Sequence, residues 1–404
     1  MTSPRFLLYG IGGVYNYGCE AIVRGTEIIL REIWPDAIIR YASLRPEDDA
    51  HRLKDTRVEI IPRKRYSRYS MTNICRKVVS MAGGSWTPVM EDFDFLDDCD
   101  VVLSIGGDLY TAPNNRYPRD LLKFGEVVME RGKKFIIWGA SVGPFYVDNS
   151  IEKILKNHFN KVHLITSREI ASTNYLESLG VQKNVVACAD PAYAVYPEII
   201  QAHRPAGQLR IGVNLSSLSV RRAISDKDVQ KIIVEHAKTI ANLVREFEAS
   251  IVLIPHVICD FNERDDDLKY MQAVMQNLPA DVVDKVELND KDLGFLGAKS
   301  EIIKCHLVIA ARMHCAINAI AAGVPTILVS YSQKAVGMAE YVYGNKNWVI
   351  SIQNFGSPLL IDIVDKMVSE HDFIANILKN RIYYIQEDAN NSGILLAHLL
   401  NRVE

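Results

Sequence analysis

The sequence predicts an α/β protein made of two domains in tandem, each a parallel sheet flanked by helices. Short β-rich runs that end in glycine or a polar turn alternate with segments of helical periodicity. That alternation stops once, in the polar stretch "PEIIQAHRPAGQ" (197–208), and then starts again. A chain of 404 residues is also too long for one ordinary core and fits two of roughly 200 residues each.

Taken in order, the first domain (1–197) offers "RFLLYG", "AIIRYASL", "VVLSIGGD", "KFIIWGAS" and "VHLITS" as strands. The second (208–404) offers "LRIGVNLS", "SIVLIPHV", "DKVELND", "HLVIAA", "PTILVS" and "NWVISI". Open parallel sheets bind ligands outside the carboxyl ends of their strands, so two such sheets face each other across a cleft and the strand-to-helix junctions line it.

Composition narrows the function. Hydrophobic residues at 48% and charged residues at 24% fit a globular protein, and a net charge of -3 supplies no general attraction to nucleic acid. The amino-terminal "MTSPRFLLYGIGG" has no extended apolar core, and no apolar run approaches the roughly 18 residues of a spanning helix, so a cytoplasmic location is expected. Seven scattered cysteines, with no CxxC pair, argue for reduced thiols and against a zinc site.

The junctions carry the chemistry. In "YGIGGVYNYGCEAIVRG" the glycines permit close backbone approach before a helix starting near Glu20, and Asn16 and Glu20 are the polar candidates for an acceptor; a plain glycine turn is the equal alternative. Tyr15 at the third glycine position removes a dinucleotide fingerprint. "VVLSIGGDLYT" ends in Asp108, which either caps a turn or orients a hydroxyl in the cleft. In "VHLITSREIAS", Thr166 and Glu169 have capping-box spacing and put Arg168 in the first helical turn. "VIAARMHCAINAIAAGVP" places Arg312 and His314 at another helix start.

Cations at a helix amino terminus cost about 0.3–1 kcal/mol each unless something negative offsets them. Two junctions sharing this feature point to one anion gripped by Arg168 and Arg312, whose planar forks suit carboxylate and phosphate. A phosphate about 4 Å from His314, at an effective dielectric of about 20, would favour its imidazolium by about 4 kcal/mol and make it a general acid. Lys334, after another strand, is an auxiliary anion contact. The acidic "CDFNERDDD" (259–267) reads as a solvated loop, and His256 has no readable role. Seven Lys or Arg between 57 and 77 read as a mobile solvated loop, with peripheral attraction to anionic membrane as the functional alternative.

The ordered series "NYGCEAI", "SIGGDLY", "WGASVGPF", "SREIAS", "ADPAYAV", "GVNLS", "IPHV" and "ARMHCAINAIAAGVPTILVSYSQKAVG" resembles the polysaccharide pyruvyl transferase family across roughly residues 8 to 340. The resemblance implies two Rossmann-like domains in a GT-B-like arrangement, with the first on the acceptor side and the second carrying the R-x-H donor motif. It implies transfer of the enolpyruvyl unit of phosphoenolpyruvate onto two hydroxyls of a sugar, lipid-linked or otherwise, in surface or exopolysaccharide biosynthesis. Arg168, Arg312 and Met313 would contact the donor and His314 would be the acid; phosphoenolpyruvate is a substrate, and neither cofactor nor metal is implied. The family commonly has an acidic residue where Cys19 stands here. A GT-B glycosyltransferase using a nucleotide sugar and a non-catalytic saccharide-binding protein are the competing functions.

Overall fold

A computed structural model describes residues 3–64, 70–71, 73–75, 78, 93–111, 117–145, 149–195, 207–224, 228–331 and 333–401. The first sheet contains β1 (Arg5–Tyr9), β2 (Ile38–Ser43), β3 (Val58–Pro62), β4 (Val101–Ile105), β5 (Lys134–Ala140), β6 (Leu164–Ser167) and β7 (Val185–Ala187). Its order is β3-β2-β1-β4-β5-β6-β7, with every pairing parallel. The second contains β8 (Arg210–Asn214), β9 (Ser250–Leu253), β10 (Val286–Leu288), β11 (Leu307–Ala310), β12 (Thr326–Ser330) and β13 (Val349–Ser351). It runs β10-β9-β8-β11-β12-β13 and is again parallel throughout.

The central strands β4 and β11 are wholly buried, as "VVLSI" and "LVIA" require when helices cover both faces of a parallel sheet. In both sheets the strand order reverses direction at the middle, between β1 and β4 and between β8 and β11. These switch points open crevices at the carboxyl ends of the strands. The junctions singled out by the sequence therefore fall where ligands collect.

Two strands escaped the sequence reading. "VEIIP", taken as part of the basic loop, is β3, an edge strand paired to β2. The three-residue "VVA" forms β7 only because β6 supplies a neighbour. Arg63, counted among the solvated or membrane-facing cations, is buried: its guanidinium lies 4.0 Å from the centre of the Tyr9 ring and donates to the Tyr9 hydroxyl at 2.9 Å. Much of the rest of that basic run, including 65–69 and 76–77, lies outside the described residues.

The Tyr17–Ile33 helix of the first unit leans on the second. Its Tyr17 N–H donates to the His256 carbonyl at 2.9 Å, and Asn16 pairs with Val257 in an isolated antiparallel bridge. The last helix, His371–Asn401, crosses back to lie against the same Tyr17–Ile33 helix. One continuous apolar cluster accordingly includes Leu8 and Leu103 of the first sheet with Val213 and Ile309 of the second. No described helix is long and apolar enough to cross a membrane.

Candidate active site

Arg312 follows β11 in extended backbone and starts the Met313–Ala321 helix without a side-chain cap; its N–H donates to Asn214 Oδ1 at 2.8 Å. Its side chain turns to two carboxylates: Nη2 lies 2.6 Å from Asp265 Oδ1 and 2.8 Å from Asp267 Oδ1, and Nε is 3.1 Å from Asp267. Both acids belong to the "CDFNERDDD" stretch, so the solvated-loop reading holds for the exposed residues 260–264 and fails at Asp265 and Asp267. Asp266 between them caps the Asp267–Met275 helix by accepting from the Lys269 N–H. Burial pushes the Asp267 carboxyl up to about 6, against the pull of Arg312. The cation at this helix start is thus compensated from within the protein. Nη1 of Arg312 makes no hydrogen bond among the described residues.

Arg168 shows the same design in the first unit. The helix there starts later than the capping-box spacing suggests, at Ile170 with Glu169 as its cap residue, so Arg168 stands ahead of the first turn. Thr166 caps nothing; its hydroxyl accepts from the Gly139 N–H at 2.7 Å. Arg168 donates through Nε to Ser141 at 3.0 Å, through Nη1 to Asp190 at 2.7 Å and through Nη2 to Asp108 at 3.2 Å. The guanidinium lies so close over Gly107 that a Cβ there would come within 2.5 Å of Nη1, so a side chain at this position would have to displace Arg168.

Asp190, from "ADPAYAV", is the carboxylate that the junction analysis missed. It is 4% exposed, and its Oδ1 accepts from the Ala192 N–H at 2.9 Å. Oδ2 meets both Arg168 and, at 3.4 Å, Nε2 of His314. The latter is an ion-pair approach without hydrogen-bond alignment. Burial would raise the Asp190 carboxyl, yet His314 and Arg168 outweigh it and hold it well below the usual range. His314 is wedged from the other side by Gly18, where a Cβ would approach Nδ1 to 2.3 Å. A helical glycine costs about 0.5–1 kcal/mol relative to alanine, and here it makes room for the imidazole.

Asp108 spans the cleft. Its Oδ1 is 2.6 Å from Lys334 Nζ of the second unit as well as in contact with Arg168 of the first. Burial opposes ionisation, but Lys334 and then Arg168 prevail and lower its carboxyl to about 2. It is an ion-pair partner, not the turn cap that its position after a strand suggests.

Asn16, Asp108, Arg168, Arg312, His314 and Lys334 converge on one cavity of about 330 Å³. Met313 lines it too, and so does Arg222, a cation the junction analysis passed over although "SVRRAIS" follows the β8 switch-point strand. Asn16 is also the cap of the Tyr17–Ile33 helix, accepting from the Gly18 N–H at 2.9 Å. His256 borders the cavity but burial drives its imidazole down to about 3, so it is neutral there. Burial pushes the Cys19 thiol up to about 12 and keeps it protonated and unreactive.

Glu20 is the correction. It does not line the cavity: it is 1% exposed, accepts from Arg24 Nε at 2.8 Å and from the Phe295 N–H at 2.9 Å, and faces Arg52. Together with the Arg52–Asp292 ion pair it ties the two units together beside the cleft. Glu20→Gln is therefore expected to lower the unfolding free energy by about 1–3 kcal/mol, the cost of an imperfectly satisfied buried group. Denaturant unfolding would measure the loss, and a variant as stable as wild type would show that Glu20 is not needed to hold the two units together.

A family model described as polysaccharide pyruvyl transferase matches residues 16–333. The amylovoran biosynthesis protein AmsJ of Erwinia amylovora is 25% identical over 264 residues, which are 61% of this chain and 60% of that relative. Among solved structures, HepE of Anabaena in complex with UDP and glucose has a TM-score of 0.59 at 11% identity, covering 99% of this chain and 100% of its own. The UDP-GlcNAc 2-epimerase of Neisseria meningitidis has a TM-score of 0.57 at 13% identity, covering 98% and 100%. At such identities these two structures speak for the GT-B-like fold alone. The family match runs from the capped Tyr17–Ile33 helix through both cationic junctions to the helix that carries Lys334, and with it the chain belongs to the polysaccharide pyruvyl transferase family.

Proposed function

We propose that the protein transfers the enolpyruvyl group of phosphoenolpyruvate to two hydroxyls of one sugar, forming a pyruvate ketal in exopolysaccharide biosynthesis. The observation that carries this is the cavity at the two switch points, which Arg168, Arg222, Arg312 and Lys334 line together with His314. A small donor with a carboxylate and a phosphate needs several fixed cations, and Arg168 and Arg312 are oriented by carboxylates and, for Arg168, by the Ser141 hydroxyl before any ligand arrives. The amino terminus of the Met313–Ala321 helix adds N–H donors to the same anion.

The chemistry needs one proton donor at carbon. His314 gives a proton to the methylene carbon of the donor, whose double-bond electrons form the new C–H bond and leave an oxocarbenium at the central carbon. A sugar hydroxyl oxygen attacks that carbon, and its proton restores the imidazolium. Phosphate departs with the bridging oxygen and its bonding pair, and the second hydroxyl closes the ketal on the resulting oxocarbenium, its proton passing to the released phosphate. Asp190, fixed between Arg168 and His314, couples the residue that holds the donor to the residue that protonates it.

The test is phosphate release from phosphoenolpyruvate with a panel of lipid-linked and nucleotide-linked sugars. Release that depends on one acceptor, with a ketal in the product, is the expected result. Glycosyl transfer from a nucleotide sugar, with no phosphate released from phosphoenolpyruvate, would replace this reading with that of a glycosyltransferase.

A further inference from the structure

Of the arginine and lysine side chains that line the donor cavity, all but one are already engaged inside the protein. Arg168 is held on Asp190 and Asp108, Lys334 on the same Asp108, and Arg312 on Asp265 and Asp267. Arg222 is the exception: it lines the cavity with no hydrogen bond or ion pair among the described residues. We infer that Arg222 is a donor-binding residue that takes the phosphate end of phosphoenolpyruvate at the cavity mouth and leaves the enolpyruvyl end to the interior, an inference that rests on the pyruvyl-transfer reading and orients its donor.

Position supports the assignment. Arg222 stands in the last turn of the Ser217–Ala223 helix, which follows β8, and it lies outside every motif that carried the family resemblance. It is exposed, whereas the side chains of Arg168 and Arg312 are sunk to 8% and 13% exposure. Its charge still reaches the site: against burial, and after Lys334 and Arg168, it helps to hold the Asp108 carboxyl low. Its neighbour Arg221 is turned back onto the same helix, where its Nε donates to Ser217 at 3.1 Å.

The two ends of the donor make unlike demands. A phosphomonoester carries a charge of about −1.5 to −2 at neutral pH on three acceptor oxygens, whereas a carboxylate carries a single charge. Arg168 and Arg312 can give N–H groups to a carboxylate while their charge stays offset by Asp190, Asp265 and Asp267. The phosphate needs a cation with no counter-ion of its own, and Arg222 is that cation. At an exposed site the phosphate also keeps part of its hydration, which lowers the cost of binding it, and it stands next to solvent when it is released. The imidazole of His314, only 16% exposed, lies deeper, where the methylene carbon must sit to take its proton.

Arg222→Met removes the charge, keeps a good helix former and breaks no ion pair among the described residues, so the variant should fold. Calorimetry with phosphoenolpyruvate, inorganic phosphate and pyruvate reads the whole donor and each of its ends. Wild type should bind phosphoenolpyruvate more tightly than either fragment. Arg222→Met should weaken phosphoenolpyruvate and inorganic phosphate by similar factors of about tenfold or more, as expected for losing a charge-assisted hydrogen bond, and pyruvate by less than about twofold. Arg222→Lys should recover part of the loss, because the charge returns without the planar fork. Equal weakening of pyruvate and phosphate would reduce Arg222 to a general field and overturn the assignment. So would a loss confined to pyruvate, an unchanged phosphate affinity, or no binding of phosphate by wild type. Wild-type binding of phosphoenolpyruvate no tighter than that of inorganic phosphate would instead refute the donor reading, while the response of phosphate to Arg222→Met still judges Arg222.

Discussion

Arg312→Ala is expected to destabilise the protein by about 3–5 kcal/mol, the cost of stripping a buried ion pair of one partner. Asp267 is fully buried and Asp265 largely so, and both depend on the Arg312 guanidinium for compensation. Asp267 also accepts from the His256 and Val257 N–H groups, so it has no freedom to turn toward water. Denaturant unfolding followed by tryptophan fluorescence would measure the loss. Pairing Arg312→Met with Asp267→Asn should recover part of it, because the second change removes a carboxylate left without its cation. An alanine variant as stable as wild type would show that the two aspartates find other partners. Donor affinity is better judged with Arg312→Lys, which keeps the charge while losing the planar fork, and weaker phosphoenolpyruvate binding is the expected outcome.

His314→Gln should separate chemistry from binding. Removing a general acid typically costs about 10²–10⁴-fold in rate, so acceptor-dependent phosphate release should fall into that range. Glutamine preserves a polar amide beside Asp190 and contact with Gly18, while Arg168, Arg312 and Lys334 remain in place to hold the donor. Phosphoenolpyruvate affinity should stay within a few-fold of wild type. Turnover close to that of wild type would exclude His314 as the acid, and a parallel collapse of donor affinity would make it a binding residue.

The corrected residues show where a linear reading stops. Glu20 and Asp108 look alike in sequence, each an acid near a glycine-bearing junction, yet one ties the units together and the other bridges the cleft. The difference comes from side-chain direction. Glu20 sits in the first turn of the Tyr17–Ile33 helix on the face toward Arg24 and Phe295, whereas Asp108 follows β4 directly at the strand's carboxyl end. Likewise, nothing in "CDFNERDDD" announces that Asp265 and Asp267 will meet an arginine more than forty positions later.

What the sequence by itself determined is the α/β class, most of the strands, and the cations that gather at the strand ends. Those features are local: buried parallel strands must be apolar along their length, and their helices must begin where the strands stop, so pattern and spacing reveal them. Only the tertiary structure decided how the charges are partnered, that Asp190 joins Arg168 to His314, that Arg222 completes the cavity, and that the last helix returns to the first unit. Electrostatic energy depends on distance through space and on burial, and neither can be read from separation along the chain.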